Sequence, residues 1–402
     1  MTNQTIKPFL RCCPICSNDE GEVLHTQSFS LPNEHPLPIS YDVVACSKCG
    51  FVFADSSGHQ KDYDLFYKDF SKYEYSKMEG EGLINDNKKL ERTADDISSF
   101  IEDKSANILD VGCAEGDLLL KLKNRGYNNL NGLDPSSSCI SYINNEHKID
   151  AHVGGLFENL TSVFNKKEFD FVILTHVFEH IYDLSTAIQN IYSVLKDDGI
   201  LYLEVPDASR YLEYYIVPFY YFDIEHINHF DEHSLTNLTS MNGFERISIE
   251  KKEFNVSEQN LYPAVYGLFR KVDKKNSLKI CPNFGCKKQI KEYIKKSQKS
   301  NVFPEIDSLV DSNEEIVVWG AGSYTTRLLE NTDLGKCNII AFVDSDPHKQ
   351  GSEIKNIKIY PPSILKKCSK LIVISSAIYS NDITKQIKKM GLKNDIIIIK
   401  GL

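Results

Sequence analysis

The sequence contains no run of about 20 apolar residues, which is the length that a helix needs to cross a bilayer. Its first ten residues, MTNQTIKPFL, lack the apolar core and the small-residue cleavage site of a signal peptide. We therefore expect no membrane partner and a cytoplasmic location. An excess of basic residues is also missing, because the formal net charge is −10 and the pI about 5.6. This balance disfavours a nucleic-acid partner.

The cysteines do not have the pattern of a disulfide framework, because their number, 11, is odd and their spacing uneven. Four of them form two C-x-x-C pairs, Cys13 with Cys16 and Cys46 with Cys49. Four thiolates so arranged can surround Zn²⁺ tetrahedrally, and we predict a closed, structural zinc site. Free thiols or a redox pair are the alternative, and Cys12 is a second register for Cys13. A nucleic-acid-binding zinc ribbon is a competing function that the acidic chain disfavours.

The 402 residues are too many for one ordinary core and indicate two or three domains. Apolar runs of strand length alternate with helical stretches after residue 107, which predicts an α/β fold with a largely parallel sheet. The predicted division is a zinc-binding lobe (1–60), a tyrosine-rich helical linker (61–100), a Rossmann-like domain (101–255), a helical connector (256–312) and a second Rossmann-like domain (313–402).

The strongest local motif is ILDVGCAEG at 108–116, where an apolar strand enters a glycine turn and then a helix. Glycines at 112 and 116 let the backbone turn sharply and approach a ligand. A second strand ends in Asp134 and Pro135, placing a carboxylate where it can accept hydrogen bonds from ribose hydroxyls. These segments resemble the first two motifs of class I S-adenosylmethionine (SAM)-dependent methyltransferases. A purely structural turn is the alternative. The predicted cofactor-binding residues are Asp110, Gly112, Cys113, Gly116, Asp134, Pro135 and His176.

The region that follows the third strand departs from the usual methyltransferase pattern. An acidic residue for the adenine amino group is expected there, and the sequence reads HVGGLFE at 152–158. Backbone groups near Leu156, or the side chain of Glu158, are the candidates to replace it.

Histidines beside carboxylates mark two candidate catalytic segments. The strand FVIL ends in THVFEH at 175–180, and residues just past a parallel strand face the ligand crevice, so His176 and His180 are expected near the cofactor. A second segment, YYFDIEHINH at 220–229, places Glu225 beside His226, an arrangement that suits a general base. The alternatives are hydrogen-bonded structural histidines and a metal site of His226, His229 and His233.

The carboxy-terminal motif IVVWGAG at 316–322 repeats the strand and glycine turn, and a later strand ends in Asp344 and Asp346. A Gly-Ala-Gly turn suggests NAD binding only weakly, since a third glycine and a hydride-transfer constellation are missing. We expect a nucleotide-type ligand or half of a substrate cleft.

The order of these parts resembles the zinc-containing sugar C-methyltransferases. The paired cysteines, LDVGCAEG, GLDPSS, the Glu-His pair and DSDPHKQG fall in the expected places, and the resemblance covers essentially the whole chain. It implies methylation of a 4-keto deoxysugar linked to a nucleoside diphosphate, through an enolate that attacks the methyl group of SAM. By the same resemblance His226 is the base, Glu225 its partner and His180 the histidine after the fourth strand.

Two positions depart from this family. Asp223 stands where a tyrosine is usual, so Tyr221 or the tyrosines at 67, 73 and 75 are candidates to supply the phenol. The terminal turn reads GAGSYTTRLL rather than the usual GA-x-x-x-G form. An O- or N-methyltransferase acting on a sugar or polar metabolite, and a non-catalytic module that binds sugar nucleotides, remain the rival functions. The sequence leaves the oligomeric state open.

Overall fold

The computed structural model describes residues 6–32, 35–69, 81–257, 259–273 and 279–400. Within these ranges no helix combines the length and the apolar character that a membrane span requires. Three sheets organise the described residues.

The amino-terminal lobe is an antiparallel sheet. Its second strand hydrogen-bonds to the first and third strands, and its fourth strand pairs with a short strand from the middle of the chain, Asn228–His229. The lobe therefore shares its sheet with the central domain. Its own strands are β1 (Ile6–Pro8), β2 (Glu20–Ser28), β3 (Ser40–Cys46) and β4 (Val52–Asp55).

The central domain is a seven-stranded doubly wound sheet flanked by helices. Its strands are formed by buried apolar runs such as Phe169–Thr175, as expected where helices cover both faces. The elements, in chain order, are α1 (Gln60–Asp69), α2 (Glu81–Phe100), β5 (Asn107–Val111), α3 (Asp117–Asn124), β6 (Asn129–Asp134), α4 (Ser137–Tyr142), β7 (Asp150–Val153), α5 (Leu160–Val163), β8 (Phe169–Thr175), α6 (Leu184–Val194), β9 (Leu195–Pro206), β10 (Asn228–His229), α7 (Glu232–Met241), β11 (Phe244–Asn255) and β12 (Leu261–Lys271).

The strand order of this sheet is β11-β12-β9-β8-β5-β6-β7. Strands β5 to β9 run parallel, and β12 lies antiparallel between β9 and β11. The chain reverses its direction of winding at β5, which lies between β6 and β8, and ligands of such sheets bind at that point, beyond the carboxyl ends of the strands. The predicted α/β, Rossmann-like fold is confirmed.

The expected helical connector over 256–312 is wrong in its first part. Residues 261–271 form β12, whose buried side chains complete the central sheet, so this sheet continues beyond residue 255. The run LYPAVYGLF is uncharged and rich in the aromatic and apolar residues that strands favour, but the lysines on either side of it suggested a helix.

The carboxy-terminal unit is a six-stranded sheet of order β15-β16-β14-β13-β17-β18, parallel except for β15. Separate apolar clusters cover its two faces. Helix α8 (Gly285–Ser300) precedes this unit and packs against the lobe and the central domain. The elements of the unit itself are α9 (Pro304–Ser312), β13 (Ile316–Trp319), α10 (Ser323–Asn331), β14 (Ile339–Val343), β15 (Glu353–Ile354), β16 (Ile357–Tyr360), β17 (Leu371–Ile374), α11 (Ser380–Lys389) and β18 (Ile396–Ile398).

Candidate active site

The glycine turn after β5 lies at the winding reversal of the central sheet. Gly112 and Gly116 have φ angles of 74° and 77°, in the left-handed region that favours glycine. A Cβ on Gly112 would lie 2.7 Å from Cγ2 of Val177, the residue just after His176. The turn therefore packs directly against the segment that follows β8.

Asp134, at the end of β6, fixes the shape of this turn. Its Oδ2 accepts a hydrogen bond from the Ala114 N–H (2.9 Å), and its Oδ1 accepts one from the Ser136 N–H (2.9 Å). The carboxylate is 7% exposed and the adjoining Pro135 is exposed. Charge-assisted bonds to backbone amides are stronger than neutral ones, so Asp134 holds the two strand ends together at the crevice.

Asp110 is buried in β5, two residues before Gly112. Its Oδ1 has no hydrogen-bond partner among the described residues. Burial, with a further contribution from the charge of Asp134, raises the pKa of Asp110 to about 8. Burial also raises the pKa of the Cys113 thiol, which lies inside the turn. An apolar residue would pack at position 110 without this electrostatic cost, so the carboxyl group has a purpose other than packing.

His176 lies between two buried carboxylates. Its Nδ1 is 3.1 Å from Glu179 Oε1, and its Nε2 is 3.1 Å from Glu204 Oε1. The backbone of His176 has φ 54°, which is unusual for a residue with a Cβ. Such strain persists only where the surrounding contacts impose it.

Glu204 on β9 is the centre of this buried network, which sequence reasoning missed. The Tyr202 hydroxyl donates to Glu204 Oε2 (2.8 Å), and Lys252 on β11 forms an ion pair with the same oxygen. Burial raises the pKa of Glu204, but the charges of Lys252 and His176 outweigh it and hold the pKa well below its usual range. The available signal was a glutamate inside the apolar strand run LYLEVP.

Glu179, His180 and His226 converge beside this network. Their ligand-type atoms all lie within 4.8 Å of one another, and the rings of His180 and His226 are 4.9 Å apart. Glu179 Oε2 is buried without a hydrogen-bond partner in the described ranges. Burial raises the pKa of Glu179, but the hydrogen bond from His176 and the charges of His180 and His176 lower it overall. Two adjacent residues and His226, 46 residues later in the chain, thus form one acid–base cluster.

The segment that carries His226 is tied to the residues around His180. The Ile227 N–H donates to the Glu179 carbonyl (2.9 Å), and the Asn228 amide donates to the carbonyls of Phe178 and Ile181 (2.8 and 2.7 Å). The backbone carbonyl of Glu225 is 3.0 Å from His180 Nδ1. Since a carbonyl only accepts, His180 carries a proton on Nδ1.

The other candidates occupy different positions. His229 is fully buried, burial lowers its pKa to about 3, and His233 is exposed on α7. The metal interpretation of His226, His229 and His233 is wrong, because in the described residues His226 lies instead with Glu179 and His180.

The tyrosine candidates are also separated. The Tyr221 hydroxyl donates to the Tyr214 carbonyl inside the aromatic core, so it does not serve as the free phenol. The Tyr67 ring contacts His180 at 5.5 Å. Tyr73 and Tyr75 lie outside the described residues.

The four predicted cysteines of the lobe form one buried cluster. Cys13 Sγ is 3.6 Å from Cys49 Sγ, and Cys16 Sγ is 3.5 Å from Cys46 Sγ, whereas Cys12 is exposed. These separations exclude disulfides, whose sulfurs are about 2.05 Å apart. They approach the edge of about 3.8 Å that a tetrahedron with Zn–S bonds of about 2.3 Å would have.

The terminal glycine turn repeats the backbone arrangement of the first. Asp344 Oδ2 accepts a hydrogen bond from the Ala321 N–H (2.7 Å), and Asp344 Oδ1 accepts one from the Asp346 N–H (2.9 Å). The Thr325 hydroxyl donates to the carbonyl of Gly320 (2.6 Å) and contacts the Ser375 hydroxyl (2.8 Å). The hydroxyl groups of Thr325 and Ser375 thus lie near this turn, whereas the histidine and glutamate cluster lies near the first turn.

Comparison with family models identifies two segments. Residues 86–249 match the model described as "Methyltransferase domain", and residues 312–398 match one described as "C2185-like, N-terminal". Among curated proteins, the chain is 33% identical over 109 residues to the mitochondrial ubiquinone biosynthesis O-methyltransferase of Bos taurus. That alignment covers 26% of this chain and 29% of the relative.

Two solved structures illustrate the similarity in fold. A SAM-dependent methyltransferase from Methanosarcina mazei is 19% identical with a TM-score of 0.37, covering 44% of this chain and 97% of its own. The magnesium protoporphyrin IX methyltransferase from Synechocystis PCC 6803, solved with bound SAM, is 14% identical with a TM-score of 0.38, covering 53% and 96%.

The first family model assigns the central domain. Residues 86–249 are a class I SAM-dependent methyltransferase domain, and the predicted enzyme class is confirmed for that domain.

Proposed function

We propose that the chain transfers a methyl group from SAM to a nucleotide-linked 4-keto deoxysugar, at carbon, with His226 as the base. The observation that carries the proposal is the convergence of Glu179, His180 and His226 beside the glycine turn of the methyltransferase domain. A base and its charge partners at the cofactor crevice are what proton abstraction followed by methyl transfer requires.

The residues around the first turn fit SAM. The cofactor carries a sulfonium and an ammonium group, and the turn offers the carboxyl groups of Asp110 and Asp134. Asp110 has an oxygen without a partner, and a cationic ligand would favour its ionised form. Gly155, after β7, has open space where a Cβ would be, and Glu158 Oε1 accepts from its N–H (3.2 Å). Gly112, Cys113, Gly116, Asp134 and Pro135 would hold the cofactor, which supplies an electrophilic methyl group when bound.

The acid–base cluster would handle the proton. In its neutral form His226 would accept the proton from the carbon next to the sugar ketone. The nearby carboxylate of Glu179 would stabilise the imidazolium that results. His180 donates through Nδ1 to the Glu225 carbonyl, which leaves its Nε2 facing the cluster, 3.9 Å from Glu179 Oε1. His176 faces carboxylates with both ring nitrogens, and so would position Glu179 rather than take part in the transfer.

The substrate class and the zinc ion are supported by the order of the three parts. Four buried thiols this close to one another favour a metal, because they match the four thiolate ligands of a structural zinc site. The order of the zinc-type lobe, the methyltransferase domain and the terminal α/β unit resembles the sugar C-methyltransferases. The zinc would be structural, with Cys13, Cys16, Cys46 and Cys49 as its ligands.

The direct test is mass spectrometry of reactions that contain SAM and a panel of 4-keto nucleotide sugars. We expect a gain of one methyl group on at least one sugar. If each sugar in the panel, and each 4-hydroxy counterpart run beside it, is recovered unmodified while the protein binds SAM, the substrate assignment is wrong.

O-methylation is the second candidate, favoured by the local identity to a ubiquinone biosynthesis O-methyltransferase. A histidine base would serve either chemistry, because a hydroxyl also loses a proton. Incubation in deuterated water without SAM separates the two. Carbon chemistry predicts deuterium at the carbon next to the ketone, catalysed by the wild type and lost in His226→Ala, whereas O-methylation predicts no exchange at carbon.

A further inference from the structure

A cavity of about 280 Å³ lies among the lobe, the central domain and the terminal unit, outside the candidate active site. Its wall includes His25 and Gln27 from β2, Phe219 from the segment before β10, Gln298 from α8 and Arg327 from α10. The volume is just below the roughly 300–1,000 Å³ that is usual for small-molecule sites. A compact ligand would fit.

Arg327 gives this cavity its charge. The side chain is 5% exposed, and its Nη1 donates to the carbonyl of Phe219 (2.8 Å). No carboxylate in the described part of the chain forms an ion pair with Arg327, and none of the residues that line the cavity is acidic. A buried cation without a counter-ion is costly, and an anion in the cavity would remove that cost.

The guanidinium retains donors for such a ligand. Within the described residues Arg327 donates only through Nη1, to the backbone carbonyls of Phe219 and Phe222, and its Nε and Nη2 remain in contact with solvent. The amide groups of Gln298 and Asn301 stand at the rim. A fork of N–H donors with nearby amides matches the oxygens of a phosphate.

The other side chains of the wall are neutral at pH 7. The His25 ring stacks on Phe219, with centroids 4.2 Å apart and planes 6° apart. Burial, assisted by the charge of Arg327, lowers the pKa of His25 to about 4, so His25 is neutral at pH 7. Phe219 has φ 56° and is held by Arg327 and by the Ser297 hydroxyl, which accepts from its N–H. Arg327 is therefore the one cation among the cavity-lining residues.

We propose that this cavity binds the phosphate group of a small phosphorylated metabolite, held by Arg327. This site is separate from the methyltransferase reaction and does not depend on the proposed substrate.

Calorimetric titration of the full chain with inorganic phosphate, pyrophosphate and ribose 5-phosphate, in a phosphate-free buffer, tests the proposal. We expect saturable binding of at least one probe, with one site per chain. Binding of ribose 5-phosphate alone would assign the ligand to organic phosphates, and binding of the inorganic probes would assign it to the free anion. Absence of saturable binding for all three would overturn the proposal.

Two kinds of variant locate the binding. Arg327→Gln should weaken the binding at least tenfold, although it also removes two backbone contacts. Gln298→Glu leaves Arg327 in place and adds a carboxylate at the cavity, and it should weaken phosphate binding by a similar factor. Gln289→Glu adds the same charge at an exposed position of the same helix and should bind as the wild type does. Unchanged affinity in both Arg327→Gln and Gln298→Glu would place the ligand elsewhere.

Discussion

The two glycine turns of the chain are built alike and differ in what surrounds them. In each, an aspartate at the end of the second strand accepts hydrogen bonds from a turn amide and from the amide two residues beyond itself: Asp134 in the first turn and Asp344 in the second. Two residues before the first glycine of each turn, however, the central domain has Asp110 and the terminal unit has Val318. Both side chains are buried.

This difference distinguishes what a glycine turn needs for folding from what a reaction at the turn would need. Val318 packs in its sheet at no electrostatic cost, and Asp110 holds an unpartnered oxygen in the equivalent place. Near the first turn lie Glu179, His180 and His226, and near the second lie the hydroxyl groups of Thr325 and Ser375. The same pair of aspartate–amide hydrogen bonds stabilises the glycine turn of both sheets. The histidines and the glutamate that could transfer protons lie near the first turn.

Removing the base at the first turn should have the largest effect. His226→Ala is expected to lower methyl transfer by about 10²–10⁴-fold, the usual contribution of general base catalysis, with SAM affinity unchanged. Rates and calorimetry measure both quantities. The matched control is His233→Ala, because His233 is an exposed histidine on α7 and its loss should leave the rate unchanged. Full turnover by His226→Ala would remove this residue from the mechanism.

Loss of the zinc ion that we propose for the lobe should act on the first turn through the His226 segment. Strand β10, two residues after His226, pairs with β4 of the lobe, and Arg11 of the lobe donates to Asn228 Oδ1 (3.0 Å). Cys46→Ser should lose zinc and at least tenfold of the rate, as a structural zinc contributes roughly 10–16 kcal/mol to folding in isolated fingers.

Elemental analysis by mass spectrometry and initial rates check this prediction. Cys12→Ser changes an exposed cysteine next to the cluster and should keep both the zinc and the rate. A zinc-free wild-type chain with full activity would contradict the structural role.

Replacing the equivalent aspartate of each turn by asparagine tests whether the two turns differ in function. Asp134→Asn should weaken SAM binding about tenfold, because a hydrogen bond to a charged group contributes roughly 1.5–3 kcal/mol. Asp344→Asn should cost similar stability and leave SAM affinity as it is. Calorimetry and thermal melting measure the pair, and an equal loss of SAM affinity in both variants would mean that the two turns are not functionally distinct.

The last prediction concerns stability alone, in the pH dependence that Asp110 causes. With an ordinary pKa of 3.8 and a pKa of about 8 in the fold, this carboxyl is ionised in the unfolded chain and protonated in the folded one between these values. Unfolding then releases a proton, so stability falls as the pH rises through this window. The melting temperature of Asp110→Asn, relative to wild type, should rise between pH 5 and pH 8. A constant difference would show that Asp110 has no such shift.

The glycine turns, the paired cysteines and most of the strands could be predicted from sequence, because each depends on local pattern. The left-handed φ at position 112 sterically favours glycine, so the glycine itself indicates the turn. A carboxylate after an apolar strand can likewise be read directly from the sequence. Strand β12 was missed because neighbouring lysines suggested a helix. Its pairing with β9 and β11 depends on the tertiary structure, which a local sequence pattern does not show.

The acid–base cluster shows the same limit. His226 was singled out by its glutamate neighbour, yet its partners in space are Glu179 and His180, 46 or more residues earlier in the chain. The ion pair of Glu204 and Lys252 was missed, since it reaches across β12 from β9 to β11 and no spacing in the sequence indicates it. Tyr221 was one candidate for the phenol, and nothing in the sequence indicates that its hydroxyl donates to the backbone carbonyl of Tyr214.

A crystal structure of the full chain with S-adenosylhomocysteine would test the central claim most directly. We predict the adenosyl group over the turn at 112–116, with its ribose hydroxyls on Asp134. The same ligand bound over the turn at 320–322, or bound without contact to Asp134, would contradict the account.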